Sequence, residues 1–212
     1  MEYYSNIRDP MSLQILISSG WYFPLLAYLA GSLPFSLWIS KMVAGIDIRD
    51  DGSGHATTTN TIRQVGWFPG VIVFILDLSK GFLPTYFALL QGYSLPVIIF
   101  TAALAVIGHC WPIFAQFRGG MGLATAGGAF FAINLTGGLI ALVVLISLVL
   151  LYGHAARASA AAGLVIAPVL WLIGYRETLF WAALVVGWII AVRFYQQDWH
   201  REYRELWLDR QD

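Results

Sequence analysis

The sequence predicts an all-α, polytopic membrane protein with about seven transmembrane helices, and three observations lead there. Hydrophobic residues make up 58% of the 212 and charged residues only 11%, against roughly 25% charged in an ordinary soluble domain. The apolar residues gather into runs near the roughly 20 residues that a helix needs to cross a hydrocarbon core of about 30 Å. Threading those runs alternately through a bilayer puts nearly all Lys and Arg on one side, as the positive-inside rule requires.

The runs cover 21–44, 66–90, 95–117, 136–152, 158–174 and 178–192. A seventh, 122–133, is apolar but short, and its glycines and alanines suit close packing against neighbouring helices. If it crosses, Lys41, Arg49, Arg63, Arg118, Arg157, Arg193, Arg201, Arg204 and Arg210 share one face, and only Arg8 and Arg176 lie on the other. That face is then cytoplasmic, with the N-terminus outside and the C-terminus inside. The polar segments at 51–66, at the turn from Arg118 to Gly122 and at the C-terminus would therefore meet on the cytoplasmic side. Connections are short and no 20–50-residue repeat is visible, so residues 1–212 read as one helical domain. In the tail 198–212, Trp199, Tyr203, Leu206 and Trp207 recur at helical spacing, the pattern of an interfacial helix.

Composition narrows the function classes. Twelve Lys and Arg balance twelve Asp and Glu, so no basic surface argues for nucleic acid. The single cysteine, Cys110, sits in an apolar run, where it can form no disulfide within the chain and no metal cluster. The start MEYYSNIRDP lacks a basic region ahead of a cleavage site, so no signal peptide is expected.

The polar residues that interrupt this apolar chain are few. Asp77 and Lys80, in LDLSKG, lie three apart on one helix face, where they can neutralise each other or mark a functional site. In DGSGHATTTNTIRQVG, Gly52 and Gly54 permit positive φ, so consecutive N–H groups around Ser53 can converge on an anion. Thr57, Thr58 and Thr59 add hydroxyls, Asn60 an amide and Arg63 a planar fork suited to phosphate. The same residue types also make an ordinary solvated loop that caps the next helix. Gly119, Gly120 and Gly122 precede another helix start, where free N–H groups and the helix dipole favour anions. His109 is expected to be a buried histidine bonded to backbone.

Taken together, GSLPF, GIDIRDDGSGHATTTNTIR, LDLSKG and AVIGHCWPIFAQFRGGMGLAT resemble the bacterial acyl-phosphate-dependent glycerol-3-phosphate acyltransferases, in order and nearly ungapped over about residues 28–125. The resemblance implies a compact seven-span enzyme with its motifs facing the cytoplasm. Such an enzyme moves a fatty acyl group from acyl phosphate to glycerol 3-phosphate, giving lysophosphatidic acid with no metal or organic cofactor.

The family's first motif, GSGNxGxTNxxR, is kept at Gly52, Ser53, Gly54, Thr59, Asn60 and Arg63, with His55 for its Asn and Thr57 for its inner Gly. The second, GGKGxAT, is kept at Gly119, Gly120, Gly122, Ala124 and Thr125, with Met121 in place of its Lys. A serine-rich stretch is reduced to Ser159 beside Arg157. The C-terminal HRENI motif fits two registers. One uses His200, Arg201 and Glu202; the other starts from Arg193, with Phe194 and Gln197 replacing His and Asn. The first register is the better match.

The resemblance thus implies Ser53, Arg63 and His200 as catalytic residues, and Asn60 with the amides of Gly52, Gly54, Gly119, Gly120 and Gly122 on substrate phosphate. Glu202, Asp77, Lys80 and His109 take supporting roles. Met121 and the missing serines leave a second reading, a family member that binds lipid or acyl phosphate without turnover or acylates another acceptor. An intramembrane serine protease using Ser53 with His109 or His154 needs a hydroxyl–imidazole contact that a polar loop disfavours. A transporter is opposed by the lack of inverted repeats.

Overall fold

The computed structural model describes residues 18–153 and 155–198. These residues form helices and loops without strands. The elements are α1 (Phe23–Gly31), α2 (Phe35–Ala44), α3 (Thr58–Gln64), α4 (Trp67–Leu90), α5 (Leu95–Cys110), a 3-10 turn (Ile113–Ala115), α6 (Leu123–Ile133), α7 (Leu135–Tyr152), α8 (Ala155–Leu172) and α9 (Thr178–Asp198). Among the described residues, five segments are long and apolar enough to cross a membrane: Phe23–Ala44, Trp67–Leu90, Leu95–Ala115, Leu135–Tyr152 and Thr178–Gln196. Two shorter apolar helices, Leu123–Ile133 and Arg157–Leu172, occupy the remaining apolar runs. At about 1.5 Å per residue, the 11 residues of α6 reach roughly half the thickness of a hydrocarbon core.

The first apolar run is not one helix. It breaks between α1 and α2, because Pro34 lacks the N–H that would continue the ladder and disfavours helical backbone at Leu33. The Leu33 carbonyl freed by the break is taken by Lys80 Nζ at 2.8 Å. Ser32 donates to the Tyr28 carbonyl from both its backbone N–H, at 2.9 Å, and its Oγ, at 2.8 Å.

Small residues set the helix contacts. A side chain on Gly108 would strike the Tyr28 carbonyl, one on Gly81 the Thr125 carbonyl and one on Gly128 the Leu78 carbonyl, so α5 seats against α1 and α6 against α4 at backbone contact. Thr125 Oγ1 reinforces the second pairing by donating to the Asp77 carbonyl at 2.9 Å. Asn134 ends α6 and starts α7, accepting the Gly137 N–H at 2.8 Å. A core of Val106, Cys110, Ala126, Phe130, Leu170, Val186 and Ile190 joins α5, α6, α8 and α9. The span Leu95–Ala115 is mostly buried, whereas Leu135–Tyr152 turns most of its surface outward, so α5 is central and α7 peripheral.

Candidate active site

The loop from Gly45 to Thr57 is organised by one amide. Asn60, 1% exposed, accepts the Ser53 N–H on Oδ1 at 3.1 Å. Its Nδ2 lies 3.0 Å from the carbonyls of Ile48 and Asp51 and 3.1 Å from that of His55, so its two hydrogens are shared among three acceptors. Gly52 and Gly54 take φ of 59° and 70°, which brings the loop around the amide. Thr57 caps α3 by accepting the Asn60 N–H at 3.3 Å. The sequence reading places Asn60 on phosphate, whereas in the structure its side chain shapes the loop that carries Ser53. Arg63, in the last turn of α3, is exposed and has no ion-pair partner among the described residues.

Arginines lace this loop to the turn that follows α5. Arg49 forks onto the Asp47 carboxylate at 2.9 and 2.7 Å and donates to the Ala115 carbonyl at 3.0 Å. Its guanidinium holds the Asp47 carboxyl well below the usual carboxylate range, with Lys41 adding a smaller attraction from 3.7 Å. Arg118 Nη2 in turn donates to the Arg49 carbonyl and to Asp50 Oδ1, both at 2.8 Å.

The turn itself lies on His109. The Gly120 N–H donates to the His109 carbonyl at 3.1 Å. A Cβ on Gly120 would strike both the His109 imidazole and the Ala56 carbonyl, so only glycine lets the two motif loops meet here. Gly122, at φ 86°, starts α6. Beneath the turn a small cavity is lined by Ser36, Ala56, Asp77, Lys80, His109, Arg118, Gly119 and Gly120. Lys80 Nζ sits 2.8 Å from Asp77 Oδ1 and 5.2 Å from the centre of the Phe35 ring. His109 Nδ1 is 3.6 Å from the same carboxylate oxygen, beyond hydrogen-bond distance.

The sequence-predicted residues thus fall into two connected groups. Gly119, Gly120, His109, Asp77 and Lys80 surround the cavity, and Gly52, Ser53, Gly54 and Asn60 form the adjoining loop. Ser53 and Arg63 do not line the cavity. Met121, 7% exposed, points into the protein. His200 and Glu202 lie outside the described residues. Among those residues, no three His, Cys, Asp or Glu side chains gather as a metal site.

One site residue escaped the sequence reading. Arg193 of α9, 2% exposed, donates from Nε to the Gly120 carbonyl at 3.1 Å and from Nη2 to the Gly119 carbonyl at 3.0 Å, with its guanidinium carbon 5.2 Å from the centre of the Trp111 ring. The only signal for it was the alternative register of the C-terminal motif, which starts at this residue.

Residues 21–202 match the family model described as glycerol-3-phosphate acyltransferase. The chain is 36% identical to glycerol-3-phosphate acyltransferase of Aquifex aeolicus over 179 residues, covering 84% of this chain and 90% of the relative. It is also 36% identical to glycerol-3-phosphate acyltransferase 2 of Thermotoga maritima over 167 residues, covering 78% of this chain and 85% of that one. Among solved structures it resembles PlsY, an integral membrane glycerol 3-phosphate acyltransferase. The TM-score is 0.75 to the glycerol 3-phosphate form and 0.74 to the lysophosphatidic acid form, at 34% identity over 84% of this chain and 89% of PlsY. With the family model matched over residues 21–202 and relatives 36% identical along 85–90% of their own length, this chain belongs to the glycerol-3-phosphate acyltransferase family.

Proposed function

We propose that this chain transfers a fatty acyl group from acyl phosphate to the 1-hydroxyl of glycerol 3-phosphate, giving lysophosphatidic acid and inorganic phosphate. The observation that carries the reading is the joining of the two glycine motifs at Gly120 and Ala56, with Arg118 tying the two loops together and Arg63 exposed in the last turn of α3, the helix that follows the first glycine loop. Two anionic substrates need such a concentration of cations and backbone donors. The family relationship supports the same acceptor and product.

Acyl phosphate is a mixed anhydride whose leaving group is already good, so positioning and charge neutralisation supply much of the rate. The acceptor oxygen attacks the acyl carbon, the carbon–oxygen bond to phosphate breaks, and the hydroxyl proton leaves with the departing phosphate or a nearby base. In this proposal Ser53 and Arg63 hold the phosphate-bearing substrates, aided by amides at Gly52, Gly119 and Gly122, whereas the N–H groups of Gly54 and Gly120 are given to the Asp51 and His109 carbonyls, both at 3.1 Å. His200 orients the acceptor, with Glu202 supporting it. The chain crosses the membrane about seven times as one domain, α6 and α8 included, with the N-terminus outside and the site cytoplasmic.

A specific observation favours a second reading. Arg193 seats on the glycine turn, which supports the register in which Phe194 stands at the motif's His and Gln197 at its Asn, while Met121 stands at its Lys. Loss of both a cation and an imidazole points to a different acceptor or to binding without turnover. Supplying palmitoyl phosphate with labelled glycerol 3-phosphate separates the readings: lysophosphatidate supports the first, and bound acyl phosphate without product supports the second.

A further inference from the structure

We infer that Arg193 is a positioning residue that sets the direction of the amides in the Gly119–Gly120–Met121 turn and ties that turn to the C-terminal helix. The inference rests on the reading of the turn as a phosphate cradle. The two carbonyls that Arg193 holds belong to consecutive peptide groups, at 3.0 Å for Gly119 and 3.1 Å for Gly120. In a trans peptide the C=O and N–H point in opposite directions. Fixing both carbonyls on α9 therefore turns the N–H groups of Gly120 and Met121 away from α9. The first finds the His109 carbonyl at 3.1 Å. The second precedes Gly122 and the start of α6, where further amides and the helix dipole favour an anion.

Packing alone does not explain this choice of residue. A guanidinium only 2% exposed is costly to bury, and an aliphatic side chain would fill the same space without that cost. What the guanidinium adds is a rigid fork that spans two acceptors at once and lies flat on an aromatic face, which Trp111 supplies. Lys has a single ammonium and cannot hold both carbonyls in one plane. Because Arg193 lies more than 70 positions from the turn in the chain, the turn takes this shape only when α9 is docked. The clamp therefore makes cradle geometry and the docking of α9 one event.

The test uses the full chain in detergent, as wild type, Arg193→Lys and Arg193→Ala, with and without methylguanidinium at a sub-denaturing concentration. Two readouts are taken: amide hydrogen exchange across 119–124, and steady-state kinetics with palmitoyl phosphate and glycerol 3-phosphate. Loss of two hydrogen bonds from a charged donor is expected to speed exchange at the Gly120 amide by about tenfold or more in Arg193→Ala. The interiors of α5 and α6 should exchange as before. Arg193→Lys should protect the turn only in part and raise KM for glycerol 3-phosphate more than it lowers kcat, and methylguanidinium should restore both in Arg193→Ala. Unchanged exchange in the turn, or equal loosening of every helix in Arg193→Lys, overturns the inference. If Arg193→Ala fails to fold, the Lys variant decides. If wild type makes no lysophosphatidate, the proposed function falls while the exchange readout still decides the role of Arg193.

Discussion

Lys80 holds its ammonium 2.8 Å from the Asp77 carboxylate inside α4, with both side chains almost fully buried. The same ammonium takes the Leu33 carbonyl that the break before Pro34 releases. One ion pair therefore neutralises two intramembrane charges and satisfies a broken helix. Removing either partner leaves an uncompensated charge, so Asp77→Asn or Lys80→Met should each cost about 3–5 kcal/mol. The double variant should recover part of the loss, but not all, because the Leu33 carbonyl keeps only the Phe35 N–H at 3.1 Å and loses its charged donor. Thermal unfolding of the four proteins in detergent gives the coupling. Additive losses would mean that the pair does not act as a unit.

Asn60 is the loop's organiser, and its replacement should show in stability as well as in rate. Asn60→Ala removes the acceptor for the Ser53 N–H and the donor for three carbonyls, a loss of about 2–4 kcal/mol. Asn60→Asp keeps the acceptor but sets a carboxylate against those carbonyls, and should be no better. A variant that melts like wild type yet no longer binds glycerol 3-phosphate would move Asn60 back onto substrate.

The meeting of the two motifs at Gly120 predicts a selective defect. Gly120→Ala drives a methyl group into the His109 ring and the Ala56 carbonyl, which should separate the loops and lower kcat/KM by about 100-fold while costing about 1–3 kcal/mol of stability. Kinetics and melting on the same preparation check both. An active Gly120→Ala enzyme would mean that the loops need not touch.

Acid should unlace the loop through Asp47. Its carboxyl is held below its ordinary value by Arg49, so the ion pair's contribution is fully present above the unfolded carboxylate pKa, near 4. The contribution is lost as pH falls through the lower folded value. Asp47→Asn should therefore melt below wild type at neutral pH, with the difference shrinking below about pH 4. A gap independent of pH would assign the effect to shape rather than charge.

The apolar runs and the glycine motifs were legible because each is local: hydropathy marks the helices, and Gly52, Gly54 and Gly122 sit where positive φ is used. The break at Ser32–Pro34 was signalled by Pro34 yet hidden by the unbroken apolarity around it. Asn60 shows a different limit, since an amide suits a phosphate and a loop carbonyl equally well, and only the distances tell them apart. Arg193 read as one more cytoplasmic cation at a span's end. Its task depends on two carbonyls far away in sequence, which no local pattern reveals.

Acyl transfer to glycerol 3-phosphate is decided with purified protein in detergent, given palmitoyl phosphate and labelled glycerol 3-phosphate, with Arg63→Ala and Met121→Lys in parallel. Lysophosphatidate is expected from wild type, and a loss of about 100-fold or more in Arg63→Ala, which removes the exposed guanidinium proposed to hold phosphate. No lysophosphatidate from wild type, with acyl phosphate still bound or product regained in Met121→Lys, would contradict it.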